Sequence, residues 1–433
     1  MSDCRIWIRG GRILDPAAER DELGDVLIED GVIAAVGASL DASDAEVIDA
    51  NGAWIAPGFV DLHTHLREPG QEYKEDIASG GRSAVAGGFS AIACMANTQP
   101  VNDDPAMTDF ILDRAKQDSP ARVYPVAAAT RGLEGTVMTE MSALIDAGAV
   151  AFSDDGKTIM DGGVMRRVLE YSRLVNAPVI THGEDRHLVA NGVVNEGPVS
   201  TKLGLPGNPA VAEEVLVVRD LMLAELTGAH LHVAHVSTRG AVAAIRQARE
   251  RGVNVTAEAA PHHLTLTDEA VLGYRTNAKV APPLRSTADV AACREGLADG
   301  TIDAIATDHA PHAVHEKDLD FTEAPPGLIG FETAFPVVLD LVRAGELSPL
   351  ELMRRMSTNP AKILKRPGGS LAVGAPADIA ILDPEVYWTY DPAKGYSKSR
   401  NSPWAGQTMT GRATATIVGG RLVYDVERGV LYP

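Results

Sequence analysis

Eight short apolar runs, each ending in a polar side chain, limit how this chain can fold. They are WIAPGFVDLHTH, FSAIACMAN, RVYPVAAAT, AVAFSDD, PVITHGED, LHVAHVS, NVTAEAAPHH and DAIATDH. Helix-like segments separate most of them, among them SALIDAG, VMRRVLEYSRLVN, VAEEVLVVRDLMLAELTG and GAVAAIRQARERG. Strands alternating with helices imply a parallel sheet, and eight such units suggest a closed (β/α)8 barrel. The runs end at His63 and His65, Asn97, Thr130, Asp155, His182, His235, His262 and Asp308. Barrel chemistry sits at the C-terminal ends of the strands. One mouth would therefore gather side chains that lie far apart in the chain.

Both chain ends read differently. RIWIRGGRIL, DVLIEDGVIAAVG and AEVIDANGAWIAPG near the start, and ADIAILD and GRATATIVGGRLVYD near the end, carry strand and turn signals. The expected organisation is α/β, with a smaller β-sandwich built from residues 1–55 and 369–433 around a barrel of residues 56–368. The 433 residues carry a formal charge of −20. That repels nucleic acid and anionic lipid, and any anionic ligand must be held by local groups. Cys4, Cys94 and Cys293 form no CxxC pair, so no disulfide framework or cysteine zinc site is indicated. With no signal-peptide pattern and no membrane-length apolar run, a cytoplasmic protein is expected.

The stretch DLHTHLR places His63, His65 and Arg67 at alternate positions. Side chains at i and i+2 of a strand face the same way, so both imidazoles can hold one ion. HxH alone is equally compatible with two hydrogen-bonded core histidines. His182, His235 and Asp308, also at run ends, tip the balance. Six candidate ligands exceed one tetrahedral zinc, and two metals with a bridging carboxylate are the economical solution. Asp154 and Asp155 compete for that bridge, because neighbours on a strand face opposite ways. The other aspartate is expected in a cap or turn before Gly156. Arg67 can grip a carboxylate with two parallel hydrogen bonds. Its plainer alternative is a surface pair with Glu68 or Glu72.

DLHTHLREPG, FSDDG, HGED, HVST and ATDHAPH resemble the bacterial class I dihydroorotases, cyclic amidohydrolases of the amidohydrolase superfamily. The likeness spans nearly the whole chain. It implies one Zn²⁺ on His63, His65 and Asp308, a second on His182 and His235, and Asp155 with a hydroxide as the bridge. Asp308 would serve as catalytic acid and base. His65, Arg67, Asn97, Asn277, His312 and the backbone at Pro326 and Gly327 would contact L-dihydroorotate or N-carbamoyl-L-aspartate, intermediates on the way to UMP. Position 96 is Ala where the family more often has Pro. A homodimer is implied, with possible association with aspartate transcarbamoylase. The rivals are a dihydropyrimidinase, hydantoinase or allantoinase, and a non-catalytic subunit that props up the transcarbamoylase. Among other histidines, His187 is expected in a solvent-facing helix and His230 and His232 in structural roles. One of His262 and His263 is expected to approach the site, and His315 to lie in a loop. The glycines of GGRSAVAGGFS are expected to mark turns.

Overall fold

The computed structural model describes residues 5–432, so Cys4 lies outside the described residues. Eight strands form one parallel sheet: Phe59–Thr64, Phe89–Cys94, Arg122–Ala127, Ala151–Phe152, Val179–Thr181, Leu231–Val233, Val255–Ala259 and Ala304–Ile305. They pair in that order, and a parallel bridge between Thr64 and His309 joins the last to the first. The closed barrel expected from the eight runs is therefore the architecture of the molecule. Its lumen is packed with small and branched side chains, among them Val60, Leu62, Ala91, Ala93, Ile180 and Ala304, with Ile363 and Leu364 in the same cluster. The interior is a core and not a pore.

Helices follow the strands, as the intervening segments require. Met141–Asp146, Gly162–Leu174, Ala210–Thr227 and Arg239–Glu250 are the four anticipated from periodicity. Their inward residues join the main core, for example Val168 and Leu169, Leu221, and Val242 and Ile245. Gly80 and Gly81 do not mark a turn as expected. They lie inside the helix Ile77–Ala86, where the chain runs against Leu66 and Ser119. No described helix is long and apolar enough to cross a membrane.

The two chain ends meet in a nine-stranded mixed sheet. Trp54–Pro57 pairs in parallel with Ile6–Asp15 and antiparallel with Ile379–Thr389. Ile8, Ile13, Ile28, Ile55, Ile379 and Ile417 share the sheet's own apolar cluster. The first apolar run, WIAPGFVDLHTH, is not one strand. Trp54–Pro57 belongs to this sheet and Phe59–Thr64 to the barrel. The change falls at Gly58, where a Cβ would lie 2.4 Å from Ser90 Oγ, so only glycine fits the crossing.

Candidate metal centre

Five separate strand tips converge at the barrel mouth. His63 lies in the first strand and His65 just beyond it. His182 and His235 follow the fifth and sixth, and Asp155 and Asp308 follow the fourth and eighth. Asp155 is the hub. Its Oδ1 lies 3.3 Å from His63 Nε2, 3.3 Å from His182 Nδ1 and 3.6 Å from His235 Nε2. Its Oδ2 lies 3.6 Å from His65 Nε2. Asp308 Oδ1 sits 3.2 Å from His65 Nε2 and 3.7 Å from His63 Nε2. Two trios, His63–His65–Asp155 and Asp155–His182–His235, each hold their donor atoms within 4.8 Å of one another. The backbone bends sharply to achieve this. Arg67, His235 and Asp308 have φ of 61°, 34° and 47°, in the left-handed region that non-glycine residues adopt uncommonly.

Asp155, and not Asp154, faces the imidazoles. Asp154 is neither a cap nor a turn former in its side chain. It accepts from Thr130 N at 2.9 Å and from the Thr130 hydroxyl, tying the third strand's end to the fourth's.

Most of the rings are oriented from behind. His63 Nδ1 is 3.1 Å from Glu258, whose other oxygen is 3.1 Å from His232 Nε2. His65 Nδ1 donates to Asn97 Oδ1 at 2.9 Å, and His182 Nε2 to Glu184 Oε2 at 2.9 Å. A proton fixed on the far nitrogen leaves a lone pair on the near one, the state a metal needs. The sequence alone does not single out Glu258 or Glu184. A lone glutamate in the apolar run TAEAA and another two residues after His182 were the available signals.

The donor set fits a cation. His63 Nε2 and Asp155 Oδ1 are buried without a hydrogen-bond partner among the described residues, a costly state unless something positive joins them. Burial pushes the Asp155 carboxyl up, but the charge of His63 and the close imidazoles of His182, His235 and His63 hold it well below the usual range. Burial likewise opposes ionisation of Asp308, yet His65, His63 and His235 keep it low. Burial disfavours the His182 cation, but Asp155 and Glu184 raise that ring to about 10. Ionised carboxylates that draw protons onto neighbouring imidazoles mark a pocket short of positive charge. Imidazole and carboxylate together suit zinc.

A cavity of about 430 Å³ opens beside the cluster. It is lined by His65, Arg67, Asn97, Asp155, His182, His235, Asp308 and His312, with Pro326 and Gly327 in its wall. Arg67 pairs with neither Glu68 nor Glu72. It is 8% exposed, and its Nε donates to Pro311 O at 3.2 Å. Burial drives His312 down to about 2, so it is a neutral ring whose Nε2 donates to Pro326 O at 2.9 Å. Asn277, in the turn Thr276–Ala278, is not among the residues lining this cavity. Neither are His262 and His263, which pack with ring centres 4.4 Å apart in the helix Pro261–Thr265. His187 is exposed in the helix Arg186–Val189. His230 and His232 both bond Thr256 Oγ1 at 2.8 Å. His315 is in the short helix Val314–Lys317 rather than a loop.

Residues 52–241 match the family model Dihydro-orotase-like, and residues 287–424 match Amidohydrolase family. A dihydroorotase of Anaeromyxobacter sp. strain K is 54% identical over 98% of this chain and 99% of its own length. The chain belongs to the dihydroorotase family. A dihydroorotase of Syntrophotalea carbinolica is also 54% identical, over 97% of this chain and 99% of its own. Among solved structures, the L-hydantoinase of Arthrobacter aurescens superposes with a TM-score of 0.87 at 27% identity, covering 97% of this chain and 96% of its own. The dihydropyrimidinase of Brevibacillus agri gives 0.83 at 25%, covering 97% and 95%. The family assignment thus rests on sequence relatives, while the barrel is shared with enzymes named for other cyclic amides.

Proposed function

We propose that the cluster holds two zinc ions, one among His63, His65 and Asp308 and one between His182 and His235, with Asp155 shared. The observation that carries this reading is the single oxygen Asp155 Oδ1 within 3.3–3.6 Å of three imidazoles from three strands. The chain is a cyclic amidohydrolase of the dihydroorotase type, interconverting L-dihydroorotate and N-carbamoyl-L-aspartate. When bound, the metal pair supplies ionised water near neutral pH and polarises the scissile amide carbonyl. Asp308, at the cavity edge beside His65, takes a proton from the attacking water and hands it to the leaving ring nitrogen. Arg67 and Asn97 receive the ring carboxylate, and neutral His312 with the Pro326–Gly327 backbone frames the other side. Asn277 is a less direct contact, since it stands outside the cavity lining.

Elemental analysis of the purified protein should find two zinc ions per chain. Turnover should favour L-dihydroorotate over dihydrouracil, allantoin and 5-substituted hydantoins. Equal turnover of neutral rings would move the protein to the hydantoinase side. Near-absence of metal together with no activity would favour the non-catalytic subunit. Arg67→Met should raise KM by roughly 10–100-fold, the worth of a charge-assisted contact, with a smaller change in kcat.

The same reading places the protein in the cytoplasm, in keeping with buried free thiols at Cys94 and Cys293. A second copy is the proposed partner. The helix Ala210–Thr227 leaves Val211, Val215, Val218, Met222 and Leu226 exposed in one outward stripe. Such spacing is self-complementary when two helices pack antiparallel. Light scattering should give a dimer that Met222→Glu splits. Added aspartate transcarbamoylase, the alternative partner, would appear as a heavier species.

A further inference from the structure

Pro325, Pro326 and Gly327 line the cavity, and all three carbonyls are held by side chains. Lys317 Nζ donates to Pro325 O at 2.7 Å and to Gly327 O at 3.1 Å. His312 holds the carbonyl between them, and Asn401 Nδ2 adds a second bond to Gly327 O at 3.0 Å. Lys279 Nζ donates to Phe321 O at 2.6 Å and Thr322 O at 3.1 Å, 5.4 Å from the Phe321 ring centre. The Lys279 carbonyl in turn accepts from Gly327 N at 2.8 Å. Gly327 has φ 135°, and a Cβ there would meet Ala310 Cβ at 2.8 Å. This wall is therefore a backbone shape that needs outside restraint.

Both lysines are 6% exposed. Among the described residues, neither has a carboxylate oxygen within 4.0 Å of its ammonium. Burying an ammonium without a counter-ion is expensive. Burial lowers Lys317 to about 7, with Lys279 lowering it further and Glu316 opposing, and it lowers Lys279 to about 8. Two such groups behind one wall make sense if their charge serves the cavity as well as the fold.

We propose that Lys317, supported by Lys279, is a positioning and specificity-determining residue that fixes the Pro325–Gly327 wall and biases the cavity toward an anionic ring over a neutral one. This rests on the reading that dihydroorotate is the substrate. Lys317 touches no reacting atom; it acts through the carbonyls it holds and through the field of its charge.

The holoenzyme is assayed at pH 6, where both ammonium groups carry their charge. Lys317→Met should raise KM for L-dihydroorotate about tenfold, leave kcat within about threefold, and leave the inhibition constant of the L-dihydroorotate methyl ester within about threefold. An unchanged KM in the Met variant overturns the proposal. So does an equal loss for acid and ester, which would make the lysine scaffold only. Should Lys317→Met fail to fold by circular dichroism, Lys279→Met is read for the same acid-against-ester difference. Calorimetric binding of N-carbamoyl-L-aspartate needs no turnover. A wild type that binds it without turning over dihydroorotate would sink the functional reading; weaker binding by Lys317→Met would still support the role of Lys317, and unchanged binding would overturn it.

Discussion

The two halves of the cluster are built differently. On one side His63 and His65 come from one strand and its immediate extension, and both rings are braced, by Glu258 and Asn97. On the other side His182 and His235 come from two strands. His182 is braced by Glu184, itself held by Asn208 Nδ2 at 2.7 Å. His235 Nδ1 is buried with no hydrogen-bond partner among the described residues, and its own φ is positive. His182 Nδ1 and His235 Nε2 lie only 3.0 Å apart. The first half has its tautomers set before any ion arrives. The second must hold two facing nitrogens together with less support. Pre-set tautomer and orientation are what outer-shell partners give a metal ligand. The His63 side should therefore bind the tighter ion.

The largest effect should come from Asp308, whose nearest imidazoles, His65 and His63, both belong to the first half. Asp308→Asn should lower kcat by ~10²–10⁴-fold, the range of a lost acid–base group. Most of the zinc should stay, because His63, His65 and the whole second half are untouched. Retained turnover would remove Asp308 from proton transfer. Wholesale loss of zinc would instead make it mainly a ligand.

How far sequence could reach follows the same divide. His63 and His65 were legible as a pair because strand periodicity puts i and i+2 on one face. The eight runs gave the barrel, since alternation of strand and helix has few closed solutions. The partnership of His182 with His235 was visible only as two run ends, because register around a barrel is not written in either segment. Strand alternation alone leaves Asp154 and Asp155 open, the family resemblance names Asp155, and the structure adds the physical reason: Thr130, 24 residues away, takes Asp154. Glu258 and Lys317 carry no signal in the sequence for a related reason. A buried charge in one segment is interpretable only when its partner from another segment is known. Gly58 hid the switch between sheets because strand signals run straight through it.

Removing one brace at a time tests the contrast directly. Glu258→Gln should weaken the first-half ion, and Glu184→Gln the second, each by ~10–100-fold in affinity. The readout is zinc content after dialysis against graded chelator. Each substitution should shift one of two steps and leave the other in place. Both steps moving together in either variant would mean that the halves do not bind independently. A smaller difference should be visible in the wild type. Chelator should remove zinc in two phases, the first leaving a single ion on the His63 side. Extended X-ray absorption on the one-zinc form can count its imidazoles. Loss in a single phase would erase the proposed ranking.

The smallest effect concerns the footing of the first half. Asp61, two residues before His63, accepts from Thr307 N at 3.0 Å and Thr307 Oγ1 at 2.5 Å, joining the first barrel strand to the loop after the last. Burial pushes its carboxyl up to about 7, against those hydrogen bonds. An acid raised from 3.8 to about 7 on folding holds more protons folded than unfolded across that window. Its contribution to stability is complete below the lower value and is lost as pH rises through the upper one. Asp220, bonded to Thr181 under the second half, has Arg219 at 2.7 Å. Asp61→Asn cannot ionise there, so the wild type's Tm advantage over it should shrink by a few degrees from pH 4 to pH 7.5. Asp220→Asn, whose aspartate already has a cation, should show a shallower trend. A pH-independent gap for Asp61→Asn would mean that its hydrogen bonds, and not its burial, decide its charge.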